Sequence, residues 1–223
     1  MPVAPFTRQT VPDPRVRFTL QCIQRHLKPA HRVVEIGSDE ATFKGYFDHD
    51  AWETVDKYGN PDHVADLDGP GARLPMPDAS VDVVICTEVL EHLRSGTFLV
   101  KEISRVLKPQ GCAVISVPNI NSLKSRVRFL FGQVPHLAAS GDCGHELGGT
   151  GVLVDGAWVA GHVVDFNAKR FVSYLARGGL RVIERVRLPI PLTSRYPTWE
   201  VPSAVVPPNL AEFLLFVAGP QPR

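Results

Sequence analysis

The sequence has few cysteines, no long apolar run and almost no net charge. Its four cysteines are scattered over 223 residues, and no Cys-x-x-Cys pair is present that would indicate a zinc site. No segment approaches the roughly 20 apolar residues of a transmembrane helix, and the first residues lack the blocks of a signal peptide. The formal net charge of +1 gives no general attraction to nucleic acid or to anionic membranes. We therefore predict a cytoplasmic protein without a membrane partner and without a nucleic-acid partner.

Strand and helix signals alternate along most of the chain. Apolar runs predict strands at 32–37, 52–55, 63–65, 81–86, 112–117, 181–188 and 210–218. Apolar residues at helical spacing predict intervening helices, among them 16–27, 99–107 and a helix that begins after Asn167. No helix signal separates the last two strands, which favours an antiparallel edge strand. We predict an α/β fold with a Rossmann-like, doubly wound, mostly parallel seven-stranded sheet, one antiparallel edge strand and helices on both faces.

The chain shows no internal repeat and no low-complexity linker, so we predict one domain over residues 1–223. Residues 1–30 are interpreted as a helical N-terminal extension. Residues 118–167 include a glycine-rich stretch with weak periodicity and are interpreted as a substrate lid.

Acidic residues follow three successive predicted strands of the sheet. Glu35 and Gly37 end the first strand, Asp56 the second, and Asp66 follows the third. Glu88 comes directly after the fourth strand. In a parallel sheet of this kind, ligands bind beyond the carboxyl ends of the strands. The pattern therefore predicts a binding site there, although solvated turn residues would give a similar pattern.

Several motifs of the chain are typical of one enzyme family. They are Val-Val-Glu-Ile-Gly at 33–37, Leu-Pro-Met-Pro-Asp-Ala-Ser-Val-Asp-Val-Val at 74–84, Glu-Val-Leu-Glu-His-Leu at 88–93, Arg-Val-Leu-Lys-Pro-Gln-Gly at 105–111 and Ser-Val-Pro-Asn at 116–119. Together they resemble the motifs of class I S-adenosylmethionine (SAM)-dependent methyltransferases. The resemblance spans roughly residues 33–188 and is most specific in its central block.

The resemblance implies a cofactor site for SAM at the strand ends. It implies that Glu35 and Gly37 line the methionine and ribose side and that Asp56 binds the ribose hydroxyls. Asp66 would face the adenine amine, and Glu88 would lie near the sulfonium. The neighbouring residues included in this predicted site are Ser38, Asp39, Lys57, Leu67 and Thr87.

The glycine turn departs from the family pattern. The family usually has Gly-x-Gly-x-Gly, whereas this chain has Gly37-Ser38-Asp39-Glu40-Ala41. Asp39 could favour the cationic amino group of SAM, or it could block the site and leave a catalytically degenerate binding module. Both alternatives stay open from the sequence.

Two histidines are the candidate catalytic residues. His92 or His162 could act as the general base, because imidazole accepts protons near neutral pH. Alternatively, Glu88, Glu91 and His92, at i, i+3 and i+4, could bind Mg²⁺ or Mn²⁺ together with His162. That arrangement resembles the metal site of small-RNA 2′-O-methyltransferases and of ubiquinone-pathway O-methyltransferases, but our main expectation includes no metal.

The sequence therefore predicts a SAM-dependent methyltransferase that acts on a small molecule. We expect O-methylation of a sugar or a secondary metabolite. A metal-assisted RNA 2′-O-methyltransferase is the alternative within the enzyme class, but no dense basic stripe supports RNA as the substrate.

Overall fold

The structure of the protein, a computed structural model, describes residues 6–7, 9–38, 43–135, 138, 152–154, 157–159, 161–191 and 200–222. Within these ranges the helices are α1 (Pro14–His26), α2 (Thr97–Val106), α3 (Leu123–Leu130) and α4 (Ala168–Arg177). The strands are β1 (Val33–Ile36), β2 (Trp52–Asp56), β3 (His63–Val64), β4 (Val81–Thr87), β5 (Leu107–Pro118), β6 (Val152–Val154), β7 (Ala157–Val159), β8 (Leu180–Val186), β9 (Ile190–Pro191), β10 (Glu200–Val201) and β11 (Phe213–Pro220). Short 3₁₀ helices span Phe43–Tyr46 and Leu90–His92.

Seven strands form one mixed sheet in the order β3-β2-β1-β4-β5-β11-β8. The first five strands in this order run parallel to one another. β11 pairs antiparallel with both β5 and β8. The strands β6 and β7 form a separate pair, as do β9 and β10. The predicted seven-stranded, mostly parallel α/β sheet is confirmed.

The predicted antiparallel edge is present, because the edge strand β8 pairs antiparallel with β11, which lies one position inside the sheet. β11 is apolar along nearly its whole length and is buried from Leu214 to Ala218, as suits a strand with a neighbour on each side. β8 takes the edge position. Its burial alternates, and it carries Arg181, Glu184 and Arg185, since charged residues are tolerated on an edge strand.

Helices cover both faces of the sheet, as predicted. α1 packs Leu20 and Ile23 against one face, in a cluster that includes Val114 and Leu215. On the other face, α2 and α4 bury apolar residues against the sheet, among them Ile103 and Phe171. The two layers hold the strands rigidly, so that the loops at the carboxyl ends are positioned by a packed core.

The first helix has a well-defined start. Asp13 accepts hydrogen bonds from the backbone N–H groups of Arg15 (2.8 Å) and Val16 (3.4 Å), and Pro14 occupies the first helical position.

None of the helices in the described ranges combines the length and the apolar character that crossing a bilayer requires.

Candidate functional site

The carboxyl ends of the parallel strands bring most of the predicted cofactor residues to one edge of the sheet. Gly37, Lys57 and Glu88 directly follow β1, β2 and β4. The backbone N–H of Gly37 donates to Val55 (3.0 Å), and that of Glu88 donates to Ser116 of β5 (3.1 Å). Parallel register therefore gathers side chains that are far apart in the sequence.

The turn after β1 has no room for a side chain at Gly37. Its φ is +74°, in the left-handed region that favours glycine, and a Cβ there would overlap with the Val89 side chain. Ser38 is buried. Residues 39–42, including the predicted Asp39 and the neighbouring Ala41, lie outside the described residues, so the two interpretations of Asp39 stay open.

Glu35 is buried and its carboxylate is already engaged inside the protein. It accepts hydrogen bonds from the backbone N–H groups of Phe43 (2.7 Å) and Lys44 (3.2 Å) and from Trp52 Nε1 (2.9 Å). Burial raises its pKa above the usual value, and the three hydrogen bonds oppose that rise. Glu35 thus anchors the start of the 3₁₀ helix at Phe43–Tyr46, and its direct contact with the cofactor stays a prediction.

The acids after β2 and β3 are linked by a lysine. Lys57 Nζ lies 2.8 Å from Asp66 Oδ2, and this hydrogen bond lowers the pKa of Asp66 and raises that of Lys57. Asp56 is half-buried, and its Oδ1 accepts from the backbone N–H groups of Lys57 (2.6 Å) and Tyr58 (3.1 Å). Leu67 is buried beside them. The side chains of Lys57 and Asp66 are exposed, so the ends of β2 and β3 carry a polar surface.

Glu88 is held in an unusual backbone conformation at the end of β4. Its φ is +57°, which is rare for a residue with a side chain. Its Oε1 accepts from Ser116 Oγ (2.6 Å), and its Oε2 lies 3.6 Å from Arg15 Nη1. Burial raises the pKa of Glu88 to about 7, against the opposing effects of Ser116 and Arg15. The preceding Thr87 is half-buried.

Glu91, His92 and His162 form a second cluster beside this edge. Glu91 Oε1 lies 3.9 Å from His92 Nε2 and 3.9 Å from His162 Nε2, and the two imidazole ring centroids are 5.0 Å apart. The carbonyl of Glu91 accepts from Val163 (2.8 Å) and Val164 (3.1 Å). These backbone bonds bring His162 to the 3₁₀ helix, although the two histidines are 70 positions apart in the sequence.

The Glu91 carboxyl is the least satisfied group of this cluster. It is buried, and neither of its oxygens has a hydrogen-bond partner among the described residues. Burial and the neighbouring Glu88 raise its pKa well above the usual value. A buried carboxyl of this kind is protonated, or it is compensated by a cation.

The structure brings together three of the four residues in the alternative metal set. One ligand atom from each of Glu91, His92 and His162 lies within 4.8 Å of the others. Glu88 is not part of this group, because its left-handed backbone directs its carboxylate to Ser116 and Arg15.

Arg15 and Ser116 are site residues that the sequence did not reveal. Arg15 is in α1, and its guanidinium lies 5.0 Å from the centre of the Phe213 ring. No local pattern connects a residue near the N-terminus with the end of β4. Ser116 lies within the Ser-Val-Pro-Asn motif, which was the one available signal for it.

A comparison with protein families points to the same class of protein as the motifs do. A methyltransferase domain model matches residues 45–115. This match supports the class I SAM-dependent methyltransferase family that the motifs predicted.

Individual relatives match over short stretches of the chain. A probable SAM-dependent methyltransferase of Mycolicibacterium smegmatis is 40% identical over 91 residues, which are 40% of this chain and 31% of that protein. A probable SAM-dependent methyltransferase of Mycobacterium tuberculosis is 50% identical over 48 residues, 22% of this chain and 18% of the relative. The chain therefore matches less than a third of the length of the first of these proteins and less than a fifth of the second.

Solved structures share the fold over nearly the whole chain. The 1,6-didemethyltoxoflavin-N1-methyltransferase of Burkholderia thailandensis, solved with its substrate and S-adenosylhomocysteine, has a TM-score of 0.54 at 16% identity and covers 96% of this chain and 81% of its own. A SAM-dependent methyltransferase from Mesorhizobium loti has a TM-score of 0.53 at 17% identity, with 89% and 95% covered. At these identities the likeness concerns the fold.

Proposed function

We propose that this chain transfers a methyl group from SAM to a hydroxyl oxygen of a small molecule, such as a sugar or a secondary metabolite. The observation that carries the proposal is the position of the His92–His162 pair beside the edge where Asp56, Asp66 and Glu88 gather. That edge would hold the cofactor, and the histidines would serve the acceptor.

The residues at the edge fit a cationic nucleoside cofactor. SAM carries a sulfonium and an ammonium group, and carboxylates stabilise both by charge. Gly37 leaves backbone exposed without a side chain, while Asp56 offers a carboxylate at the position where ribose hydroxyls are bound in such sheets. When bound, SAM supplies an already activated methyl group, so the protein's main tasks are alignment and exclusion of water.

An acceptor hydroxyl must lose its proton as its oxygen becomes methylated. His162 is largely buried and His92 is more exposed, with side-chain exposures of 11% and 41%. We assign His162 as the general base and His92 as the residue that passes the proton on to solvent. Glu91 lies 3.9 Å from each ring and would stabilise the imidazolium when it is ionised.

The test is a pair of measurements on the full chain. Calorimetry should detect binding of SAM and of S-adenosylhomocysteine, and an assay for S-adenosylhomocysteine should detect turnover with hydroxylated acceptors. Binding without turnover on any hydroxylated acceptor, or turnover on amine acceptors alone, would contradict methyl transfer to oxygen. The absence of binding would instead support the degenerate binding module.

A divalent cation at Glu91, His92 and His162 is the second candidate, and the unsatisfied Glu91 carboxyl favours it. One carboxylate and two imidazoles suit Mn²⁺ better than Mg²⁺, since Mg²⁺ prefers oxygen ligands. A bound cation would supply Lewis-acid assistance to the acceptor hydroxyl. Titration with Mn²⁺, followed by electron paramagnetic resonance, should show a site in the wild type that His162→Gln weakens. An unchanged Mn²⁺ signal in that variant would remove this candidate.

A further inference from the structure

The helix α3 exposes its apolar residues and buries a polar one. Its buried residue is Ser125, whereas α2 buries Leu99, Val100, Ile103 and Val106. In the described part of the chain, six of the eleven exposed large hydrophobic residues lie between positions 123 and 134. They are Leu123, Val127, Phe129, Leu130, Phe131 and Val134. A concentration of exposed apolar side chains of this kind marks an interaction surface.

Most of these residues lie on one side of the helix. Leu123, Val127 and Leu130 follow the i, i+4, i+7 spacing that aligns side chains along a helix. Phe131 caps the helix and Val134 follows three residues later, and they are 73% and 71% exposed. We call these five residues the α3 surface.

Basic residues flank the α3 surface on both sides. At 100° per residue, Arg126 falls on one side of the stripe and Arg128 on the other. Arg126 is exposed and donates from Nε to the Asn121 carbonyl (2.9 Å). Lys124 also lies on this helix, but its charge is paired, because its Nζ lies 3.0 Å from Glu212 Oε1. The exposed Arg126 therefore borders the apolar stripe on one side, and Arg128, which is half-buried, lies on the other.

The charges around the α3 surface indicate which kind of partner binds there. A second copy docked about a two-fold axis would bring the arginine-bordered stripes of both copies together, so like charges would face each other. An anionic lipid surface complements the arginines, while Leu130 and Phe131 can enter the layer between headgroups and acyl chains. Such attachment needs no membrane-spanning segment, and it departs from our expectation of no membrane partner, which rested on the net charge and on the lack of long apolar runs. We propose that the α3 surface docks the protein on an anionic lipid bilayer.

The position of α3 gives this attachment a direction. The helix starts five residues after the end of β5, the strand whose Ser116 contacts Glu88. The backbone N–H of Ile120 donates to the Phe166 carbonyl (2.9 Å), which joins this region to the segment that carries His162. Docking through α3 would therefore bring the bilayer close to the end of β5, where the candidate site edge lies. The proposal concerns attachment alone and does not depend on the proposed reaction.

The test is co-sedimentation of the full chain with lipid vesicles. Vesicles of phosphatidylcholine with about one third phosphatidylglycerol should retain the wild type, and pure phosphatidylcholine vesicles should retain much less. Leu130→Glu should reduce the bound fraction about tenfold, because it places a charge in the apolar stripe. Arg126→Gln should reduce binding to the anionic vesicles only. Val205→Glu is the matched control, since Val205 is 70% exposed at another position, and it should bind like the wild type.

Three results would overturn the proposal. The first is a wild type that stays in the supernatant with anionic vesicles. The second is a dimer in light scattering that Leu130→Glu dissociates, which would assign the surface to a second copy. The third is a large drop in the melting temperature of Leu130→Glu but not of Val205→Glu, which would show that the chain itself covers Leu130.

Discussion

Replacing Glu88 by glutamine should change how the stability of the protein depends on pH. Burial raises the pKa of Glu88 from 4.5 to about 7, and its side chain is only 21% exposed. Because the folded state holds this proton more tightly than the unfolded chain does, stability is highest when Glu88 is protonated. It decreases as pH rises through the folded pKa. Glutamine keeps the shape and the bond from Ser116 but cannot ionise.

The expected size follows from the pKa. The rise from 4.5 to about 7 corresponds to about 3 kcal/mol at full ionisation, and about 2 kcal/mol of this develops between about pH 5.5 and about pH 8. The free energy of unfolding of Glu88→Gln, relative to wild type, should therefore increase by about 2 kcal/mol over that interval. Relief of the repulsion with Glu91 acts in the same direction.

The assay is urea unfolding of the wild type and of Glu88→Gln at the two ends of this pH interval. The control is a glutamate whose pKa is lowered and not raised. Burial alone would raise the pKa of Glu102, but its hydrogen bonds from Arg105 and from the backbone N–H of Leu74 lower it overall. Glu102 is therefore ionised in both states over this interval, and Glu102→Gln should show a pH-independent difference from wild type. A pH-independent difference for Glu88→Gln as well would refute the reasoning, since it would mean that Glu88 ionises normally.

Three further predictions concern the candidate site. Gly37→Ala should destabilise the fold by about 1–3 kcal/mol in chemical unfolding, because the new methyl group overlaps Val89 at a left-handed φ; wild-type stability would contradict this. Asp56→Ala should weaken SAM binding in calorimetry by about 1–3 kcal/mol through lost hydrogen bonds, and unchanged affinity would remove Asp56 from the site. His162→Ala should lower turnover more than cofactor affinity, and an equal loss of both would point to a structural role.

The sheet could be predicted well because its strands are short, apolar and separated by clear turns. The run at 81–86 and the observed β4 nearly coincide, since a strand buried on both faces leaves an unambiguous pattern. The place of β11 could not be predicted in the same way. To order the last two strands, one must know which of them has a neighbour on each side. The only sign of this in the sequence is that β11 is uncharged whereas β8 carries charged residues.

The start of β5 also differed from expectation. The sequence predicted a helix over 99–107 and a strand over 112–117, but the strand begins at Leu107. Its register with β4 shifts between Val81 and Val83. An irregular strand start accommodates proline and glycine, and single-residue propensities do not reveal it.

The candidate site was predicted where successive strands place residues at one edge. The residues after β1 to β4 lie at that edge as the spacing suggested, whereas the hydrogen bonds that occupy Glu35 depend on Trp52 and on the 3₁₀ helix. The contact between Arg15 and Glu88 spans distant parts of the chain, and no local pattern encodes it. The roles assigned to the individual site residues stay predictions, as does the cytoplasmic location.

The internal position of β11 has a consequence for how the sheet is completed. A fragment that stops before Phe213 would contain six of the seven strands of this sheet. It would lack the strand between β5 and β8, so both of these strands would have an unpaired edge. During synthesis the parallel half can assemble early, while β8 must wait for a partner that emerges some thirty residues later. Completion of this sheet is thus a late step. Truncations near Phe213 should expose two unpaired strand edges at once, and such edges promote aggregation.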